Sequence, residues 1–269
     1  MYRIAAGVEY DGTRFAGWQR QRHARSVQGD VEAALSVVAN APVEVTCAGR
    51  TDAGVHAEGQ VIHFDTDARR SERSWLLGAN SNLPADAAVR WLRVAPAEFH
   101  ARFSARARHY RYTILNRDTR PALGRDTVAA ERRPLDVDAM RQGAQALIGE
   151  HDFSSFRAAE CQAASPVRRV VWLTVERQGE RVEIDVVANA FLHHMVRNIA
   201  GVLMAIGIGK QTPEWAAAVL ECRDRAAGGV TAPAGGLRFM GVQYPDAFDI
   251  PLGSDSRAVF GAITKSVNL

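Results

Sequence analysis

The chain has 269 residues, 47% of them hydrophobic, and a formal net charge of +3, a length and composition that suit two domains of about 100–150 residues with sizeable cores. No run reaches the ~18 uninterrupted apolar residues of a membrane span, and Met1-Tyr2-Arg3-Ile4 enters a strand-like pattern with no signal-peptide layout. Cys47, Cys161 and Cys222 lie far apart, which argues against a disulfide framework or a zinc site and predicts a cytoplasmic protein.

Residues 2–10 alternate as a strand, and Asp11-Gly12 signals a turn. Ser26 can cap a helix over 27–39, with Val27, Val31, Ala34, Leu35 and Val38 on one face. Strands follow near 43–48 and 60–66, then a helix over 72–82 capped by Ser71, then a strand over 88–95. The second half repeats the order. A strand covers 107–116 and a helix 136–148. A hairpin of 167–177 and 181–189 turns at Gln178-Gly179. Asn189 can cap a helix running to 207. A short helix over 213–222 precedes a last strand over 237–244. Two β-α-β-β-α-β units in tandem predict an α+β protein of two ferredoxin-like domains with mainly antiparallel sheets. The expected boundaries are 1–105 and 106–245. The tail 246–269, rich in Pro, Gly, Asp and Ser, reads as loosely ordered.

Almost all the basic charge is arginine, since lysine occurs only at 210 and 265. A compositional bias accounts for the total but not for the clustering. Gly12 to Gly29 contains no acid, yet carries Arg14, Arg20, Arg22 and Arg25 with Phe15 and Trp18 interleaved. Residues 102–120 carry six arginines against one acid, Asp118. Guanidinium groups bind phosphate bidentately and stack on bases, so basic runs carrying aromatics point towards nucleic acid.

Between two strands of the first unit lies Gly49-Arg50-Thr51-Asp52-Ala53-Gly54-Val55-His56. An Asp between glycines is ordinarily a turn residue. This loop has eight residues where a hairpin needs two to five, and its flanks are apolar or β-branched. A polar loop on a well-anchored hairpin can hold one short acidic side chain at a fixed place.

That loop resembles the active-site motif of the pseudouridine synthases, specifically the TruA-type enzymes that act on the anticodon stem-loop of tRNA. Four further blocks carry the resemblance: Tyr10-Asp11-Gly12-Thr13 with Phe15-Ala16-Gly17-Trp18-Gln19; Phe99 to Ala105 leading to Tyr110-Arg111-Tyr112; Phe153 to Arg157; and Phe191 to Asn198. The resemblance spans residues 2 to 245. It implies that Asp52 is the nucleophile, that Tyr110 packs on the target base and takes the C5 proton, and that Arg197 pairs with the aspartate. It further implies that Arg50 helps extrude the nucleotide and that Leu237 lines the pocket. Arg14, Arg20 and His56 join the substrate-binding set. The family works as a homodimer on tRNA uridines 38 to 40, without metal or organic cofactor. The domains are then expected to flank a central RNA-binding cleft, with no role for DNA or membrane.

The chemistry wants these residue types. Moving a base from N1 to C5 attachment breaks one glycosidic bond and makes another, and a carboxylate attacking at C6 or at C1′ divides that step. Burial raises a carboxyl's pKa, whereas a nearby Arg lowers it by about 1–3 units. On the predicted helix Arg197 lies off the core stripe, on a face with His193, Ala200 and Gly201, where small neighbours let another loop approach. Gly207 to Thr212 resembles the end of a phosphate loop, but Met204 stands where its first glycine is required. His193 and His194, adjacent on a helix, would diverge by about 100° and not chelate together. His56 and His63 lack zinc-ligand spacing. Two other readings stand beside the isomerase. A non-catalytic RNA-binding module would use sheet aromatics, but no RNP1 signature is visible. A metal-dependent nuclease would need more carboxylates than this loop supplies.

Overall fold

The computed structural model describes residues 1–266. In chain order the elements are β1 (Tyr2–Tyr10), α1 (Val27–Ala39), β2 (Thr46–Cys47), β3 (His56–Thr66), α2 (Glu72–Asn82), β4 (Ala87–Ala95), β5 (Ala107–Asn116), β6 (Ala129–Glu131), α3 (Val137–Gln145), β7 (Gly149–Asp152), β8 (Val167–Gln178), β9 (Arg181–Ala188), α4 (Met195–Gly207), α5 (Trp215–Cys222), β10 (Leu237–Gln243) and α6 (Ser254–Ser266). This is a mixed α/β fold. It divides into two compact units, one of Met1–Arg108 with the chain from Phe239 onward, the other of His109–Arg238.

In the first unit the strand order is β4-β1-β3-β10, with β2 also on β3. β1 is antiparallel to both neighbours, placing Ile4 opposite Phe64 and Val94. Ser26 and Ser71 cap α1 and α2 as the sequence predicts, each accepting a backbone amide three residues on. Strand β2 is only two residues long, although the sequence predicts 43–48. The amides of Val43 and Val45 bond instead to Ser36 Oγ and Glu32 Oε1 of α1, so the approach to β2 is tied to a helix and leaves the ladder. Strand β3 begins at His56 and shortens the connecting loop.

The C-terminal segment departs from expectation. Through Ser266 it is not loose: it ends in α6, with Phe260 and Ile263 buried and Ser256 packed where a Cβ on Gly241 would strike its Oγ at 2.6 Å. Ser256, Phe260 and Ile263 fall at i, i+4 and i+7, a helical stripe hidden in a composition that otherwise reads as coil. Phe248 meets Phe99 edge-on, and Asp249 pairs with Arg93. Strand β10 likewise passes, at Phe239, into the first unit. A Cβ on Gly59 would meet Met240 O at 2.3 Å, so only glycine permits that approach.

In the second unit the order is β5-β9-β8-β7, with β6 parallel to β5. The β8–β9 hairpin turns at Gly179, φ 61°, as predicted. Met140, Leu173, Val175, Ile184, Val186, Ile199, Leu203 and Ile206 fill the core. Short β6 and β7 were not legible in the sequence. Helix α4 begins at Met195, not after Asn189, because His194 sits at φ 63° and interrupts any helix upstream. Among the described residues no helix is long and apolar enough to cross a membrane.

Candidate active site

The loop bearing Asp52 is fixed from three sides within the first unit. At its root, Ala48 N donates to Val61 O at 2.8 Å. Gln60, fully buried, donates to Gly49 O at 2.6 Å and accepts from Gly49 N at 3.4 Å. Arg108 adds bonds to Ala48 O. At its centre the Tyr10 hydroxyl shares a 2.8 Å bond with Thr51 Oγ1, and Trp18 N donates to Thr51 O at 2.9 Å. Burial raises the Tyr10 phenol well above its ordinary value, against the opposing bonds to Thr51 and Gln60, so this group is a neutral strut. At its end Val55 N donates to Asp52 O at 3.2 Å, closing a turn in which Gly54 takes φ 77°. That dihedral suits glycine.

The segment following β1 presses on this loop closely. A Cβ on Gly12 would lie 2.0 Å from Val55 O, and one on Gly17 (φ 100°) would lie 2.8 Å from Thr51 O. His56 is buried, and its Nδ1 accepts the Gly12 amide at 3.0 Å and lies 3.1 Å from Asp11 Oδ1. The structure therefore places His56 inside the frame. Asp11 is held below the usual carboxylate range: burial opposes this, but the Thr13 hydroxyl and amide and the nearby His56 prevail. The Tyr10 to Trp18 block is thus the buttress of the Asp52 loop. Asp52 itself is half-buried, and Arg50 is exposed. Cys47, two residues before the loop, is pushed up to about 12 by burial, despite the charges of Arg50 and Arg102. It is an inert thiol at neutral pH.

The first basic run splits in two. Arg14 and Arg22 are exposed. Arg20 pairs with buried Glu32 at 3.0 Å. Arg25 forks onto Asp86 at 2.6 and 2.7 Å, reaches Asp30 at 2.9 Å and stacks over Phe15 at 4.2 Å. The acids that neutralise it lie outside the run, where its charge count could not reveal them.

In the second unit Tyr110 is buried on β5 and meets the Phe191 ring edge-on at 5.0 Å. Arg197 stands in the first turn of α4. Its Nε donates to Ala232 O at 2.9 Å, and its own carbonyl accepts the Ala232 amide at 3.1 Å. Ala232 belongs to a segment that crosses α4 at Gly201, where a Cβ would strike Val230 O at 1.9 Å. The sequence expected a loop to approach this small-residue face, and it does. Arg225 clamps the segment through Gly229 O, Thr231 Oγ1 and Asn198 Oδ1. The sequence offered no sign of this Arg225–Thr231–Asn198 knot. Leu237 is buried at the start of β10, just past Gly236, whose Cβ would meet the Tyr112 ring at 2.7 Å. Burial raises the Tyr112 phenol, although the Arg197 charge opposes this.

Two expectations need correction here. His193 precedes α4 and so shares no helical face with Arg197. The His193 and His194 rings do not diverge as on a helix: their centroids lie 4.1 Å apart. A second polar cluster also went unread. Buried His109 meets Asp185 at 2.7 Å, and Arg111 bonds the same oxygen at 3.0 Å. Burial raises Asp185, but these two partners pull it below the usual carboxylate range.

Comparison with known proteins places the chain in a family. A family model described as tRNA pseudouridine synthase matches residues 6–104 and 144–245. A tRNA pseudouridine synthase A of Methylococcus capsulatus is 62% identical over 248 residues, 92% of each chain. One from Nitrosococcus oceani is 59% identical, covering 93% of this chain and 96% of that one, and one from Aeromonas hydrophila is 57% identical, covering 93% of each. With the matched segments containing both the Asp52 loop and its Tyr10 to Trp18 buttress, the chain belongs to the tRNA pseudouridine synthase family.

Proposed function

We propose that this chain isomerises uridine to pseudouridine in tRNA, at positions 38, 39 and 40 of the anticodon stem-loop, with Asp52 as nucleophile. The observation that carries the reading is the bracing of the Asp52 loop. Gln60, Tyr10, Trp18 and Gly12 hold its backbone, so the carboxylate needs little reorganisation to reach a bound base. A uridine extruded from the stem costs a few kcal/mol of unstacking, offset by contacts in a pocket. The carboxylate then attacks at C6 or at C1′. The C1′–N1 bond breaks, the base turns, and a C1′–C5 bond forms; the carboxylate is released in the same sequence, displaced from C1′ by C5 or eliminated from C6, which returns Asp52 unmodified. The C5 proton leaves to a base, for which Tyr110 is the proposed acceptor, and N1 gains a proton. Arg197 is the proposed partner of the Asp52 carboxylate, and Arg50, Leu237, Arg14, Arg20 and His56 serve substrate binding. For Arg20 and His56 that service is indirect, through Glu32 and through Gly12. The two β-α-β-β-α-β units are proposed to be ferredoxin-like. The antiparallel order β4-β1-β3, with β2 on β3, supports this for the first. We further propose a homodimer acting in the cytoplasm.

The test is release of tritium from C5-labelled uridine in unmodified tRNA, with a chelator and no added metal. Turnover is expected under these conditions, and its loss on chelation favours the nuclease reading. Asp52→Ala should abolish turnover and leave tRNA affinity nearly unchanged. If Asp52→Ala turns over normally, the nucleophile is elsewhere. Wild-type protein that binds tRNA but releases no tritium leaves only the binding module.

A further inference from the structure

The chain between β4 and β5 holds a large aromatic side chain out in water. Phe103 is 76% exposed. Such a residue on a mobile loop would carry little meaning, but this loop is tied at nearly every position. His100 Nδ1 accepts the amides of Arg102 and Phe103 at 3.2 and 3.1 Å. His100 N donates to Ser104 Oγ at 3.0 Å, and Ser104 N donates to His100 O at 2.9 Å. Ala101 N donates to His63 Nδ1 at 3.1 Å, and the Tyr244 hydroxyl donates to Ala101 O at 2.6 Å. Arg108 donates to Arg102 O at 2.6 Å.

The rings form a series. His63 and His100 lie 4.6 Å apart between centroids, and His100 stacks on Phe103 at 4.4 Å with an interplanar angle of 29°. Both imidazoles are kept neutral, His63 most strongly, by burial and by neighbouring arginines. Phe103 therefore has an uncharged aromatic backing, while its own ring stays in solvent, a standing hydrophobic cost that folding does not remove.

The charge around it has one sign. From His100 to Arg108 there are three arginines and no acid. The Arg102 guanidinium lies 5.5 Å from the Phe103 centroid. The platform also sits beside the root of the Asp52 loop: Arg102 and Arg50 both act on the Cys47 thiol, and Arg108 bonds Ala48 O.

We propose that Phe103, backed by His100 and flanked by Arg102, is a stacking platform for an unpaired nucleobase of the RNA substrate, belonging to a nucleotide near the one isomerised. Every base offers a π-face, aromatic side chains on rigid elements receive it, and arginine beside the ring answers the adjoining phosphate. A protein-docking hot spot would instead be ringed by further apolar side chains. Here the ring meets the His100 imidazole and the Arg102 guanidinium. The proposal rests on the reading that the substrate is tRNA.

The experiment compares wild type, Phe103→Ala and Phe103→Tyr for binding of an unmodified anticodon stem-loop hairpin and for tritium release. It pairs them with hairpins carrying a single abasic nucleotide at each loop and closing position. Phe103→Ala should weaken binding about 5- to 150-fold, the span of one lost base stack, while Phe103→Tyr stays near wild type. One abasic position should weaken wild type and have no further effect on Phe103→Ala. Thermal unfolding of Phe103→Ala should match wild type. Unchanged hairpin affinity in Phe103→Ala overturns the platform, as does an abasic scan with no position coupled to residue 103. So does a Phe103→Ala protein whose only change is its oligomeric state, which would make the ring a subunit contact. Failure of wild type itself to release tritium would instead strike the functional reading.

Discussion

Gly12→Ala tests whether the buttress, and not merely the presence of Asp52, makes the site. The new Cβ would stand 2.0 Å from Val55 O and 2.5 Å from Val55 C, where ordinary contact begins at 3.4 Å. Both are backbone atoms, so no rotamer change relieves the clash. Either the loop or the Gly12 segment must retreat by about 1.0–1.4 Å. Overpacking of this kind costs about 1–3 kcal/mol. The retreat also draws on the turn closed by Val55 N and Asp52 O, so the carboxylate moves with it. Misplacement of a reacting group by about 1 Å can cost on the order of 100-fold in rate. We expect kcat to fall about 100-fold while Kd for tRNA changes less than about threefold, by single-turnover tritium release and filter binding. Urea denaturation fixes the stability loss, and Gly261→Ala, where a Cβ meets nothing within 4 Å, is the control. Wild-type kcat in a folded Gly12→Ala protein would falsify the buttress argument.

His63 gives a pH dependence. Burial first, then the charges of Arg3 and His100, lower its pKa from 6.5 to about 4, and its Nδ1 accepts the Ala101 amide. A folded pKa below the unfolded one means full stability above pH 6.5, lost progressively as pH falls towards 4. Melting temperatures of wild type should therefore drop over that window by more than those of His63→Asn, and equal slopes would refute the assignment. Phe260→Ala should destabilise the first unit by about 3–5 kcal/mol in urea, the cost of emptying a buried aromatic site. A loss under about 0.5 kcal/mol, the range of surface substitutions, would show that α6 is dispensable. Arg14→Ala should reduce the slope of log K for tRNA against log salt by about 0.7–0.9, one phosphate contact. Arg25→Ala should leave that slope alone and lower stability by about 1–2 kcal/mol through its bonds to Asp86. Exchange of these two phenotypes would overturn the division of the basic run.

Features with a local cause were legible in the sequence. The Ser26 and Ser71 caps and the Gln178-Gly179 hairpin each depend on residues within a few positions, and the small side chains of Ala200-Gly201 mark locally a face that another segment can approach. Bonds between distant residues could not be read. Tyr10 to Thr51, Gln60 to Gly49 and Arg25 to Asp86 span 41, 11 and 61 positions, and no periodicity encodes them. The same reason explains why Arg25 counts towards the basic run in the sequence, since Asp30 and Asp86, which neutralise it, lie outside that run. Helix α6 is not legible because, among its described residues, only Phe260 and Ile263 are buried apolar side chains. The early start expected for α4 rests on Asn189 as its cap, which a positive φ at His194 overrides.

The frame around Asp52 is built almost wholly from neutral groups, and electrostatics gives a reason. Under the proposed mechanism the nucleophilic carboxylate gains from one well-placed cation and suffers from competing ones, which would draw it out of line. Tyr10, Thr51, Gln60 and the amides of Gly49 and Trp18 hold the loop without adding charge. Burial raises the Tyr10 phenol, which keeps it neutral throughout the working range. At the root, Arg108 donates to the carbonyls of Ala48, Arg102 and Ala105. Fixed geometry comes from glycine contacts and neutral hydrogen bonds, whose strength salt screens little. The ionic-strength dependence of the enzyme should therefore arise in substrate binding and leave the rate of the bound complex nearly constant.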